Sequence, residues 1–500
     1  MKTRISAVCR LLCLMLVLVV SLALFAGCKG DDKTTSSKST ASDNYSGMEN
    51  TEIVDEFEDK SHPTLPETKD LGGFDMSIAT YYPLTVLPEQ GTSAEGDLKL
   101  EALRSVQDAY NCTISVIPVT EWDEAYTTIL SGEQYCTVLM PQLHKAGAFV
   151  QSRLCTDFLE QEISQYIDMS YPWWNDNMAY ASNVLGSVYA GSSSLCAPVD
   201  FTWIVYFNKD IAKDIGVGEN EFYDLWEKKE WTWDALAKYA KMAVKDMDGS
   251  GALDSEDDRW GLIGPGYDLS QAFLSTAKIA SITTDNGMNP RYTFNTAHAL
   301  AGMTRLNAFY TTDGFFRNHT LRRIGEGWEI FTEGKSLFVA YMFHSVSLDR
   351  LRNMDSEWGI LPMPLGMKEG GGWQDKYLSR VDHNSGALII PSTTEDKAST
   401  ALVLEAISYS YFQIINQEVE TIALTYLSDD TSIEIANTVY NTTTYEISQF
   451  FYSVANYGWV NSVEHLAGKI VDNPNYDISG AANAVAEQAQ QMIDDYFNGI

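Results

Sequence analysis

Met76-Ser77-Ile78-Ala79-Thr80, closing on Tyr81-Tyr82-Pro83, reads as a short strand, and the pattern downstream of it decides the fold. Residues 97–110 carry Leu98, Leu100, Leu103, Val106 and Tyr110 at helical spacing. Residues 113–119 then read as a strand, 122–130 as a helix and 137–140 as an apolar strand. Strands that alternate with helices in this way predict a parallel sheet covered on both faces, a three-layer α/β domain. In such sheets ligands bind beyond the carboxyl ends of the strands, which puts Tyr81, Tyr82 and residues 141–145 at a binding edge.

Downstream, residues 186–210 hold a hairpin-like stretch and the β-rich run Val199-Asp200-Phe201-Thr202-Trp203-Ile204-Val205-Tyr206-Phe207. The composition then turns helical, with 231–245 opening on Thr232 as N-cap. Further helices are expected at 297–311, 397–417 and 481–497, and strands at 336–341, 358–361 and 386–390. No internal repeat of fixed period is present.

Upstream, Lys2, Arg4 and Arg10 precede an almost uninterrupted apolar run from residue 11 to 25, which ends in Leu24-Phe25-Ala26-Gly27-Cys28. This charged, apolar, small-residue order is that of a signal peptide, too short to span a membrane comfortably. A cysteine directly after two small residues resembles a bacterial lipobox, which implies removal of residues 1–27 and lipidation of Cys28. Acyl chains at about 0.8 kcal/mol per buried CH2 would hold the protein on the outer face of the plasma membrane. Residues 28–68 are Lys, Asp, Ser, Thr, Glu and Pro with few apolar side chains, so a disordered tether is expected between lipid and domain.

The net charge of −34 falls further once the basic leader is removed. Such a surface repels nucleic acid and anionic lipid and excludes both as partners, leaving the lipid as the only membrane contact. The 45% hydrophobic and 12% aromatic content describes a well-packed globular protein rich in Tyr and Trp. Of seven cysteines, Cys112, Cys136, Cys155 and Cys196 remain in the domain, with no spacing that suits zinc. Their apolar contexts fit buried thiols at least as well as disulfides.

Several segments, in order, resemble a family 1 extracellular solute-binding protein, the receptor of a carbohydrate ABC importer. They are residues 137–160 with Ala148-Phe149-Val150-Gln151, Leu154 and Phe158-Leu159, then Tyr206-Phe207-Asn208-Lys209-Asp210 and Trp231-Thr232-Trp233-Asp234-Ala235-Leu236. Phe331-Thr332-Glu333-Gly334-Lys335-Ser336-Leu337-Phe338 and Trp358-Gly359-Ile360-Leu361-Pro362-Met363-Pro364 continue the match. The resemblance implies a two-lobed periplasmic-binding-protein-like (type II) α/β fold with interlobe hinge strands and no chemistry on the ligand. The lobes are then residues 69–200 with about 382–430, and 201–381 with about 431–500. It also implies a sugar as ligand and the permease subunits of an ABC transporter as protein partner. We expect a monomer.

Sugar binding needs flat apolar faces for C–H surfaces and fixed polar groups for hydroxyls, and Trp and Tyr supply both. The candidates at strand ends or crossovers are Tyr81, Tyr82, His144, Lys145, Trp173, Trp174, Asp200, Trp203, Phe343, His344 and Trp373. Asp200 and His144 would bond hydroxyls while the aromatics stack. Adjacent Trp173 and Trp174, on a helix or strand, would not easily share one core, so one of them is expected to face a cleft or solvent. Trp231 and Trp233 are assigned to packing at a helix start.

Asp246-Met247-Asp248-Gly249-Ser250-Gly251-Ala252-Leu253-Asp254-Ser255-Glu256-Asp257 lies on the twelve-residue EF-hand pattern. Asp246, Asp248, Ser250, Asp254 and Asp257 offer side-chain oxygens and Ala252 its carbonyl, a set suited to one structural Ca2+. No other cofactor is required. A surface glycosidase is the main rival reading, because a catalytic carboxylate pair could lie among 68 acidic residues. A surface scaffold or adhesin is the other, favoured by the tether and disfavoured by the α/β alternation.

Overall fold

The computed structural model describes residues 68–254, 257–321, 327–344, 349–427, 429–455 and 458–499, leaving aside the side chains of 349 and 416–426. The signal peptide, Cys28 and the tether through residue 67 lie outside the described residues. No helix of the described residues is long and apolar enough to cross a membrane.

The first sheet is built as the alternation requires. Strand β1 (Phe74–Thr80) is followed by helix α1 (Ala94–Tyr110), β2 (Cys112–Pro118), α2 (Asp123–Leu130), β3 (Val138–Met140) and α3 (Leu143–Gln151). The strand order is β2-β1-β3, all parallel, with Phe74 opposite Cys112 and Ile78 opposite Val138. Met76 and Ile78 enter one core and Ala79 the other, so β1 is buried on both faces as a central parallel strand must be. Ser93 caps α1 by accepting from Gly96 N, and Asn111 ends it at φ +46°. Residues 386–390, expected as a strand, form antiparallel bridges instead, Gly386 to Gln142 and Ile389 to Leu139.

The second sheet has five strands, β4 (Trp203–Asn208), β5 (Trp260–Gly264), β6 (Phe316–Asn318), β7 (Ser336–Met342) and β8 (Trp358–Pro362), in the order β6-β5-β7-β4-β8. β6, β5 and β7 are mutually parallel, while β4 runs antiparallel to β7 and β8. The β-rich run from Val199 is shorter than expected, because residues 198–201 form a 3₁₀ turn after Ala197 at φ +44°. Pro198, with no N–H and a fixed φ, suits the start of that turn. Helices α4 (Trp233–Ala243), α5 (Gly266–Thr276) and α6 (Ala297–Thr311) cover this lobe, and Thr232 caps α4 as expected by accepting from Ala235 N.

Helix α7 (Lys397–Tyr426) returns to pack on α1, and α8 (Asp430–Asn441) packs on β8 of the second lobe. Three chain segments therefore run side by side between the lobes. Thr202 bridges Val381, and Ser379–Arg380 pairs in parallel with Thr443–Thr444. Residues 447–453 then lie directly under α3. Gly147 makes that approach possible, since a Cβ there would collide with the Phe450 carbonyl oxygen.

Helices α9 (His465–Asp472) and α10 (Ala486–Asn498) close the second lobe, α9 against α5 and α6. The single helix expected at 481–497 is divided, with residues 478–484 forming a separate helix. The four domain cysteines are buried free thiols. Burial pushes Cys136 up to about 12 and Cys196 up to about 11, so neither is ionised near neutral pH.

Candidate functional site

The carboxyl ends of β1, β3, β5 and β7 all lead into one region beside the crossing segments. Beyond β1, Tyr82 donates from its hydroxyl to the Asn384 carbonyl at 2.6 Å and packs on Phe201 at 5.3 Å. Tyr81 meets it edge-on at 5.1 Å and is itself exposed. Beyond β3, the first turn of α3 presents His144 and Lys145. Both the backbone N–H and Nδ1 of His144 contact the His383 carbonyl, at 3.2 and 3.1 Å, and the two imidazoles stand edge to face at 5.5 Å. A carbonyl only accepts, so Nδ1 carries the proton. Burial, with the like charge of His383, lowers His144 to about 4, which keeps it neutral at pH 7.

From the second lobe, His344 follows β7 and its Nδ1 lies 2.9 Å from the Asp200 carbonyl. Tyr341 approaches its ring at 6.0 Å. After β5 come Tyr267 and Asp268, in the first turn of α5. Burial raises the Asp268 carboxyl to about 6, with His383, Asp382 and Arg380 facing it from the crossing segment. His383 stacks on Tyr452 at 4.8 Å and 21°. Tyr452 in turn meets the Tyr267 hydroxyl at 3.2 Å and accepts from the Gln271 amide.

Asp382 organises the crossing. It is 1% exposed and accepts from Trp203 Nε1 at 3.0 Å and from Asn384 N and Nδ2 at 3.0 and 2.7 Å. Burial alone would raise its carboxyl, but His383, Arg380 and these donors hold it below the ordinary carboxylate range. Buried Arg380 donates to Gln271 Oε1 at 2.7 Å. The region thus combines aromatic faces with polar groups from both lobes, which suits a ligand with hydroxyls and a flat apolar side.

The structure gathers Tyr81, Tyr82, His144, Lys145, Asp200 and His344 around this region and corrects several other assignments. Trp203 is fully buried, spent on Asp382, and Phe343 is 1% exposed with its N–H on the Thr202 carbonyl. Both therefore support the crossing without lining it. Trp173 and Trp174 do share one core, contrary to expectation. They lie at the end of a turn, with Trp174 in a single isolated bridge to Ser193, and their indole N–H groups donate to the two carboxylate oxygens of Glu405 at 2.8 and 2.6 Å. Trp373 lies elsewhere, on a cavity of the second lobe with Trp233.

Sequence reasoning missed His383, Asn384, Asp268, Tyr267 and Tyr452. The polar insert Asp382-His383-Asn384-Ser385 between Val381 and the apolar run after Gly386 was the available signal.

The acidic loop departs from the EF-hand register. Asp257 is turned outward and pairs with Lys335 at 2.9 Å, while Asp258, fully buried, accepts from Met247 N and Asp254 N at 3.0 and 3.1 Å. Asp246, Asp248 and Asp258 bring carboxylate oxygens within 4.8 Å of one another. Ser250 Oγ lies 3.2 Å from the Ala252 carbonyl, and Asp246 accepts from Gly249 N and Gly251 N, at 2.6 and 2.8 Å. The thirteenth residue takes the place expected for the twelfth, because a strand follows the loop where an EF-hand has its second helix.

No protein-family model and no curated protein sequence matches this chain. Its structure is similar to solved ones. Maltose-bound MalE3 from T. maritima aligns at TM-score 0.52 and 14% identity, over 84% of this chain and 100% of that one. UgpB from Mycobacterium tuberculosis, in complex with glycerophosphocholine, aligns at 0.54 and 14%, over 85% and 99%. An ABC substrate-binding protein from Listeria monocytogenes, in complex with cycloalternan, aligns at 0.53 and 10%, over 84% and 99%. This chain has the two-lobed α/β fold of those three structures.

Proposed function

We propose that this protein is an extracellular solute-binding lipoprotein that captures a sugar or oligosaccharide between its lobes and delivers it to an ABC transporter permease. The observation that carries the reading is the convergence of Tyr82 and His144 from one lobe with Asp268 and His344 from the other, beside the crossing segments. A ligand touching both sets is bound best when the lobes close, so it shifts an open–closed equilibrium toward the closed form. Cys28 would anchor the monomer to the outer face of the cell membrane. The stretch from Cys28 to residue 68 would serve as a tether that keeps it near the permease at high effective concentration. The lobes on this reading are 69–200 with about 382–430, and 201–381 with about 431–500.

Binding without turnover is expected. A glycosidase needs two carboxyls open to the glycosidic bond. Asp382 is buried with both oxygens engaged, which leaves Asp268 without a reactive carboxylate partner in that group. Calorimetric titration against neutral oligosaccharides and glycerophosphocholine, with chromatography of the recovered ligand, tests the reading. At least one sugar should bind and return intact; released monosaccharide would establish the glycosidase instead.

The loop at Asp246, Asp248, Ser250, Ala252, Asp254 and Asp258 fits one structural Ca2+ at millimolar concentration, the range of extracellular modules. Added Ca2+ should raise the melting temperature of the protein but not that of the Asp246→Ala/Asp248→Ala variant. Equal stabilisation of the two would remove the metal from the account.

A further inference from the structure

A cavity of about 710 Å3 opens on the second lobe between the start of α4, one face of α6 and the loop that ends at Trp373. It is apart from the cleft. Trp233 lines it and donates from Nε1 to Thr276 Oγ1 at 2.9 Å, at the last residue of α5. Tyr267 and Asp268 occupy the first turn of the same helix, about 13 Å away at 1.5 Å per residue.

The α6 residues Leu300, Ala301, Thr304, Arg305 and Ala308 recur at helical spacing and form one wall. The small side chains at 301, 304 and 308 leave that wall hollow. Opposite stands Trp373. All twelve tryptophans are buried except Trp226 and Trp373, so an indole left half-covered at a cavity is unusual in this protein. A short hairpin holds it there: Trp373 bridges Met367, Lys368 N donates to the Gly372 carbonyl at 2.9 Å, and Gly370, Gly371 and Gly372 turn at φ +76°, +108° and +85°. Only glycine adopts three such angles in succession without strain.

The rim is polar and electrically balanced. Arg305 pairs with Asp234 at 2.8 Å and with Asp313 at 3.1 Å, and Lys241 meets the other Asp313 oxygen at 2.9 Å. The charged residues of the lining, Asp234 and Arg305, pair with each other, so the lining itself presents no uncompensated charge to an ion. An aliphatic ligand would satisfy the floor and leave the edge of Asp234, Arg305 and Thr304 unused. A pyranose ring matches both, with a C–H face for the indole and hydroxyls for the rim, and the volume lies within the usual 300–1,000 Å3 of ligand pockets.

We propose that this cavity is a second carbohydrate site, taking one or two neutral sugar rings stacked on Trp373 and hydrogen-bonded by Thr304, Asp234 and Arg305. It holds sugar independently of the interlobe cleft. A glycan strand or a long oligosaccharide would then contact the protein at two places.

The test is calorimetric titration with maltotetraose, cellotetraose, mannotetraose and xylotetraose of the wild type, Trp373→Ala, Thr304→Arg and the cleft variant Tyr82→Ala. Thr304 is exposed on its helix, so Thr304→Arg fills the cavity without disturbing the core. For at least one sugar, Trp373→Ala and Thr304→Arg should each weaken or remove one binding event by about five- to tenfold or more, the worth of a lost aromatic contact. Tyr82→Ala should keep that event. Isotherms of both cavity variants matching the wild type for every sugar would overturn the proposal while leaving the cleft reading intact. Trp373-dependent binding of the alkyl ether C8E4 but of no sugar would overturn the ligand class.

Discussion

Asp382→Ala is expected to destabilise the protein by about 3–5 kcal/mol, the cost of removing one partner from a buried ionic group. The carboxylate is 1% exposed, and its loss strands the Trp203 indole N–H and the Asn384 amide, both of which donate to it. Arg380, also 1% exposed, would keep its charge with one neutralising neighbour fewer. Asp382→Asn retains the shape and an acceptor for Trp203, so it should cost clearly less. Urea unfolding of the three proteins measures this. A loss below about 1 kcal/mol for the alanine variant would show that the crossing is not held by this network.

Glu405→Ala should be comparably severe, about 2–6 kcal/mol, because two buried indole N–H groups lose their acceptors at about 1–3 kcal/mol each. Glu405→Gln keeps one acceptor and should fall between. The same carboxyl carries a pH signature. Burial raises it to about 7 against an ordinary 4.5, while the Trp174 and Trp173 hydrogen bonds pull the other way. A raised folded pKa means that its favourable contribution is complete below about 4.5 and is lost as pH rises through about 7. The wild type should therefore lose up to about 3 kcal/mol between those values relative to Glu405→Gln. Parallel stability–pH curves for the two proteins would contradict the assigned protonation.

These two residues also show where sequence reading succeeds and stops. The β1–α1–β2–α2–β3 order was legible because apolar periodicity switches between strand and helix within short spans, as in Leu103, Val106 and Tyr110 after Met76 and Ile78. The Thr232 cap and α6 were legible for the same local reason. Trp173 and Trp174 were misplaced because their partner, Glu405, lies 232 and 231 residues away, and no local pattern reports that a distant carboxylate will satisfy both. Tyr82, His144 and His344 follow carboxyl ends of strands, a position that a topology rule identifies. His383 and Tyr452 come from crossing segments whose neighbours are fixed only by the assembled fold. Asp257 and Asp258 differ by one residue in register, a difference decided by the start of β5 and by Lys335.

The central claim is that one solute bridges the lobes and closes them. Small-angle X-ray scattering along the sugar titration tests it most directly. Saturation with the tightest-binding intact sugar should reduce the radius of gyration, with a midpoint matching the calorimetric one. Sugar binding at full occupancy with an unchanged radius of gyration would contradict capture between the lobes.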